Sequence, residues 1–165
     1  MENKEIKEKV LMVRRVAKVV EGGKRFHFNA LVAVGDHDSM VGIGYAKANE
    51  LVDAVRKAIN QAKKNMFKVK FQKKQRTIPH EVEVEYKSCK IVMKPAAPGT
   101  GIIAETNLRS ILELAGYQDV ITKIIGSSNT ILVTKTAIMA LNSLETLEEV
   151  AARRGVSISK IISKD

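Results

Sequence analysis

With 165 residues, 45% of them apolar, the chain can bury a real core as one large domain or two small ones, which excludes disorder throughout. Its net charge of +10 is lopsided: residues 1–76 hold 18 Lys and Arg against 8 Asp and Glu, and residues 77–165 hold 10 of each. The excess therefore sits wholly in the first half, the footprint of a nucleic-acid-binding module joined to a neutral one.

Residues 1–12 mix both signs of charge and are expected to fray, at least to Lys9. The chain is organised around 13–46, where three apolar runs are separated by a glycine pair between charges and by a polar turn. Glu21-Gly22-Gly23-Lys24 predicts a hairpin, because paired glycines supply the positive φ angles that tight turns need. Arg14, Arg15 and Lys18 then lie on one arm, with Lys24 and Arg25 at the tip, on a projecting ribbon suited to probing a polyanion. A second turn, Gly35-Asp36-His37-Asp38-Ser39, precedes a third strand over 41–45. Asp36, His37 and Asp38 are metal-ligand types, but three consecutive residues seldom converge on one ion and a turn Asp usually bonds its own backbone. Gly42-Ile43-Gly44 has the spacing of a dinucleotide-binding turn, yet Lys47 stands where the third glycine belongs and the strands pattern as antiparallel hairpins. Close strand packing, with Lys47 free for a phosphate, accounts for it better.

From Asn49 the period changes. Leu51, Val55, Ala58, Ile59, Ala62 and Met66 recur at three- and four-residue steps and predict an amphipathic helix, with Asn49 as its N-cap and Glu50 and Asp53 in the first turn. Arg56, Lys57, Lys63 and Lys64 crowd its later turns. A strand is expected over 67–71, where rings alternate with charges. Gln72-Lys73-Lys74-Gln75-Arg76 is basic, has no apolar residue, and falls where the charge balance changes. This linker divides the chain into a basic domain over 1–76 and a neutral α+β domain over 77–165.

The second half opens with an antiparallel pair of strands over 81–86 and 89–94, the first alternating Glu81, Glu83 and Glu85 with Val82, Val84 and Tyr86. A loop through Pro95 and Gly99-Thr100-Gly101 is expected to lead into a helix over 104–115 closed by Gly116. Its glycines either bind an anion through exposed N–H groups or only permit a tight turn. A strand over 120–125 follows. Then come a helix capped within Gly126-Ser127-Ser128-Asn129, a helix from the capping box of Thr146 to Gly155, and a last short turn from Ser157.

No stretch approaches the ~18 apolar residues of a membrane span, and the opening residues form neither leader nor lipid anchor, so a cytoplasmic location is expected. Solitary Cys89 fits a reducing compartment and reads as a small buried strand residue. His27, His37 and His80 match no metal spacing or catalytic triad, so neither enzyme activity, cofactor nor metal is expected. With aromatics at 4%, base-stacking platforms are not favoured, and the partner is better read as a folded polyanion recognised through its phosphates. Residues 146–164 pattern as a helix-turn-helix, the alternative being a DNA-binding regulator. Residues 143–165, however, carry four charges of each sign, and the second helix offers only Lys160 and Lys164, too little for phosphate neutralisation.

Several ordered motifs share one resemblance. They are Arg15-Val16 with the Gly22-Gly23 tip, Phe28-x-Ala30-Leu31-Val32-x-x-Gly35-Asp36, Val41-Gly42-x-Gly44-Tyr45-x-Lys47-Ala48, Ala62-x-x-x-Asn65-Met66 and Lys94-Pro95-Ala96. Further on stand Gly99-Thr100-Gly101-Ile102-Ile103-Ala104, Gly126-Ser127-x-Asn129 and Ala151-x-Arg153-Arg154-Gly155. Over nearly its whole length the chain resembles the bacterial form of the fifth protein of the small ribosomal subunit, the S-five family. It departs from the family pattern at His37-Asp38-Ser39, usually richer in glycine, at Ala46 for a common glycine, and at Glu21, where a cation is usual.

The resemblance implies an α+β fold. Its first domain is an antiparallel sheet plus helix like the double-stranded-RNA-binding fold, and its second carries a left-handed β-α-β crossover. It implies a structural role in the small subunit, contact with 16S ribosomal RNA, with messenger RNA where it enters, and with the fourth and eighth proteins, and an influence on decoding accuracy. By similarity, Val16, Ala17 and Lys18 border the spectinomycin pocket with the Gly22-Gly23 tip, while Gly101 and Arg109 lie at the fourth-protein interface. Arg14, Arg15, Lys18, Lys24, Arg25 and Lys47 are then expected to neutralise RNA phosphates, with Arg56, Lys57, Lys63 and Lys64 in support. No membrane and no small-molecule substrate is implied.

Overall fold

The computed structural model describes residues 5–72 and 76–162, apart from the Ile162 side chain. The expected linker over 72–76 thus falls largely on residues 73–75, outside the described ones, as does Lys164 of the helix-turn-helix pattern. The first sheet is an antiparallel meander in chain order: β1 (Lys7–Val20), β2 (Gly23–Gly35), β3 (Met40–Ala48) and β4 (Phe67–Lys68). Between β3 and β4 runs α1 (Leu51–Lys64), packed on one face of β2 and β3. The second sheet has β5 (Val82–Tyr86) and β6 (Cys89–Pro95) as an antiparallel pair; then β8 (Val120–Gly126) and, at its far edge, β7 (Ile102–Ile103). Helix α2 (Thr106–Ala115) connects β7 to its parallel neighbour β8, making a β-α-β unit. After it come α3 (Thr130–Ser143), α4 (Leu147–Arg154) and α5 (Ile158–Ile162). The fold is α+β: a four-stranded antiparallel sheet with a helix, followed by a second β-α-β module.

The close fit of α1 explains the glycines of β3. A Cβ on Gly44 would lie 2.0 Å from the Ala58 carbonyl oxygen, and one on Gly42 2.2 Å from that of Ala62. Only a smooth strand admits a helix that near, and only small residues fit on the helix side. Ala54, Ala58 and Ala62 are therefore the fully buried positions of α1. Of the expected apolar face Ala58 and Ala62 are buried as read, but Leu51 is exposed, and Val55, Ile59 and Met66 are only partly buried at the rim. The N-cap also moves by one, to Glu50, whose side chain makes no capping bond.

Three further boundaries differ from expectation. Strand β1 starts at Lys7 rather than near 13, because its charged end is tied down on both faces. Glu8 pairs with Lys63 of α1 at 2.8 Å, and Lys9 with Glu113 of α2 at 3.6 Å. The strand expected over 67–71 shrinks to β4, although the Val69 N–H still donates to the Ser39 carbonyl at 2.7 Å. The helix expected from 104 begins at Thr106, since Ile102–Ile103 pair as β7 and the Glu105 side chain caps the Asn107 and Leu108 N–H groups. At Thr146 the capping box is complete, as its spacing predicts.

The larger apolar cluster crosses from one half of the chain to the other. Ala33, Val41 and Val69 of the first half pack with Ile91 and Met93 of β6, with Leu108, Ile111 and Leu112 of α2, and with Val133, Ala137 and Leu141 of α3. Cys89 is a fully buried member of this core, as expected. The first sheet thus has α1 on one face and α2 against the other.

Candidate nucleic-acid interface

The β1–β2 hairpin positions most of the predicted cations. Val20 pairs with Gly23 across the turn, where Gly22 has φ 95° and Gly23 φ 138°. Beyond Ala30 the ribbon leaves the core: residues 23–26 of β2 are exposed, and on β1 only Val16 and Val20 between 13 and 20 are partly covered. Arg14, Arg15, Lys18, Lys24 and Arg25 are all exposed, as are Ala17, Gly22, Gly23 and Lys47. Arg15 stacks over the Phe26 ring at 3.8 Å, a cation–π contact that sequence reasoning missed and that only strand register reveals.

Among the described residues, no carboxylate comes within ion-pair distance of Arg14, Arg15, Lys18, Lys24, Arg25, Lys47, Arg56, Lys57 or Lys64. Lys63 is the exception, held by Glu8. Lys18 and Arg25 are cross-strand partners. Like charges directly opposite destabilise a sheet pair, so an anion bound at the hairpin tip would relieve a repulsion between them.

Arg76, expected in the linker, is instead anchored between the halves. Its Nη1 donates to the His37 carbonyl at 3.0 Å, its Nη2 reaches Asp38 Oδ1 at 3.4 Å, and its own carbonyl accepts from the Gln118 N–H at 2.8 Å. In the adjoining turn Asp36 Oδ1 accepts from the N–H groups of Asp38, Ser39 and Met40 at 2.8–3.0 Å, the backbone role expected of it rather than a ligand's. Among the described residues no group of three or more His, Cys, Asp or Glu could hold a metal ion.

In the second half, the Gly101 N–H donates to Asp119 Oδ1 at 2.8 Å, which decides the open question of the Gly99-Thr100-Gly101 loop. That donor is already used, and a strand follows the loop, not a helix. Gly101 has φ 76°, a conformation suited to glycine. Arg109 is exposed and bonds Glu113 Oε1 at 2.8 Å; with Lys9 adding, it holds the Glu113 carboxyl below the usual carboxylate range. Helix α5 has five described residues and brings one cation, Lys160, to the helix-turn-helix pattern.

Comparison with protein families gives two matches in chain order. Residues 6–70 match the N-terminal domain of ribosomal protein S5, and residues 84–154 match its C-terminal domain. The chain belongs to the ribosomal protein S5 family. Its role is accordingly that of a structural component of the small ribosomal subunit, and members of the S5 family are not enzymes. The two S5 domain matches bracket the basic stretch at 72–76, and they share the continuous apolar core described above. No helix of the described residues is long and apolar enough to cross a membrane.

Proposed function

We propose that this S5-family chain binds 16S ribosomal RNA in the small subunit through its β1–β2 hairpin. Arg14, Arg15, Lys18, Lys24, Arg25 and Lys47 neutralise phosphates, and the Gly22-Gly23 turn lets the backbone approach. Arg56, Lys57 and Lys64 of α1 add weaker contacts, with Lys63 shared with Glu8. The observation that carries this reading is the set of exposed hairpin cations with no carboxylate partner among the described residues. A-form RNA is recognised largely through its shape, phosphates and 2′-hydroxyls, which suits a projecting ribbon of exposed cations.

In this reading residues 1–76 form the RNA-binding domain and residues 77–165 dock on the fourth and eighth proteins, with Gly101 and Arg109 at the fourth-protein contact. Val16, Ala17 and Lys18 border the spectinomycin pocket. The hairpin also lies near messenger RNA where it enters, in the cytoplasm, and bears on decoding accuracy.

The direct test is affinity for 16S ribosomal RNA as a function of salt. Each phosphate contact contributes roughly 0.7–0.9 log units of affinity per log unit of salt. Replacing Arg15, Lys18, Lys24 and Arg25 together by alanine is expected to flatten that slope, and an unchanged slope removes the hairpin from the interface. Cosedimentation of the intact chain with small subunits through high-salt gradients is expected. Its loss, with specific duplex DNA bound instead, would favour the regulator reading of 146–164.

A further inference from the structure

The hairpin's cations do not point the same way. Residues directly opposite in an antiparallel pair share a face, and faces alternate along each strand. Ala30, Val32 and Val34 of β2 pack on α1, so even-numbered residues of β2 define the α1 side. Cross-strand partners place Arg15 opposite Phe28, Ala17 opposite Phe26 and Val19 opposite Lys24, all on that side. Arg14 pairs with Asn29, Val16 with His27, and Lys18 with Arg25, all on the other side. Lys47 of β3 pairs with Asn29 and joins them, so Arg14, Asn29 and Lys47 form one row across three strands. Two ion pairs agree with this division near the base of the ribbon: Glu8 reaches α1, whereas Lys9 reaches α2.

The side away from α1 thus holds Arg14, Lys18, Arg25 and Lys47, and the α1 side holds Arg15 and Lys24. Arg15 is partly committed to the Phe26 ring. Nearer the core, the side away from α1 meets α3 in a groove lined by Leu31 and Tyr45 from the sheet, by Ile131, Thr134 and Ile138, and at the β3 edge by Gln61 of α1, whose Oε1 accepts from the Tyr45 N–H at 3.0 Å. The row of Arg14, Asn29 and Lys47 is the next one out, at the rim of that covered region. There Asn29 is half-buried, and its Oδ1, itself buried, has no hydrogen-bond donor among the described residues.

Taking RNA as the partner proposed above, we infer that the RNA backbone lies across the sheet on the side away from α1. It meets phosphates at two levels, the Arg14–Asn29–Lys47 row and the Lys18–Arg25 pair. Asn29 is a contact residue of this surface, its carboxamide set between two cations and its Oδ1, an acceptor, suited to a ribose 2′-hydroxyl rather than to a phosphate. Adjacent strands lie about 4.8 Å apart, so Arg14 and Lys47 flank Asn29 closely enough to engage one stretch of backbone. The Lys18–Arg25 repulsion is relieved by the same ligand.

Matched double variants of the full chain separate the faces. Lys18→Gln with Arg25→Gln and Arg15→Gln with Lys24→Gln each remove two hairpin cations, so net charge alone predicts equal effects. The first pair is expected to lower the log–log salt slope for 16S ribosomal RNA by about 1.4–1.8, two contacts' worth, and the second by less than half as much. Equal losses, or the larger loss from the second pair, overturn the face assignment while leaving RNA binding intact. No loss from either pair overturns the hairpin reading itself. Asn29→Asp removes no cation but sets a carboxylate within the row, and is expected to weaken binding about tenfold through like-charge repulsion with phosphate. Wild-type affinity for this variant, with an unchanged thermal melt, would take Asn29 and its row off the surface.

Discussion

Arg76 Nη1 donates to the His37 carbonyl at 3.0 Å, joining the turn after β2 to the chain that leads into the second sheet. The same nitrogen lies 3.5 Å from the Gly116 carbonyl, at the C-terminus of α2. The approach is tight on the backbone side too, since the His37 N–H donates to the Leu114 carbonyl at 3.0 Å. A cation bonded to carbonyls at a helix C-terminus is favourable for the dipole as well as the bonds. Arg76→Ala is expected to cost about 1–2 kcal/mol in urea unfolding, given partial exposure. Arg76→Lys should recover only part of it, because a compact ammonium cannot serve the carbonyls and the Asp38 carboxylate together as two guanidinium nitrogens do.

Gly44 and Gly22 are both glycines for unlike reasons. A Cβ at Gly44 would collide with the Ala58 carbonyl oxygen at 2.0 Å, while one at Gly22 meets nothing within 4 Å and is opposed only by φ 95°. Gly44→Ala must push α1 off β3 and is expected to cost about 3 kcal/mol, against about 1–2 kcal/mol for Gly22→Ala. Chemical denaturation of both variants checks the order, and a reversal would mean that α1 has room to retreat.

The same residues mark what was legible in the sequence. The Gly22-Gly23 turn, the Thr146 capping box and the αL glycines at 116 and 155 were readable, since each is set by local backbone geometry. The buried face of α1 was legible only in part: Ala58 and Ala62 fell on the apolar stripe, but periodicity ranks Leu51 and Ile59 above Ala54, and only the glycines across the interface make alanine the better fit. The ordered start of β1 was hidden for a similar reason. A charged KEK segment reads as solvated until Lys63 and Glu113, 55 and 104 residues away from Glu8 and Lys9, supply partners. In the candidate interface the cations could be read directly, but their division between two faces depends on register, which no single residue reveals.

Glu113 carries a pH dependence. Its carboxyl is depressed by the hydrogen bond from Arg109, with Lys9 contributing, so it titrates lower in the folded protein than in the unfolded chain. The stabilisation is therefore fully present above the unfolded value of about 4.3 and is lost as pH falls through the folded value. Glu113→Gln is expected to lower the melting temperature slightly at pH 7, with the difference closing by about pH 2. A gap that stayed constant across that range would show that packing, not charge, was removed.

Lys18→Glu sets stability and binding against each other. In the free protein Lys18 faces Arg25 across the strands, a like-charge pair with no carboxylate partner among the described residues. Reversing one sign converts it to an opposite-charge pair, worth roughly 0.2–1 kcal/mol at such positions. Amides of the outer hairpin should then exchange more slowly with deuterium in the isolated protein. Affinity for 16S ribosomal RNA should fall at the same time, by more than Lys18→Gln causes, because a carboxylate now faces phosphate. A variant that bound RNA as tightly as the parent while protecting its hairpin better would show that the cations at the tip serve no anion at all.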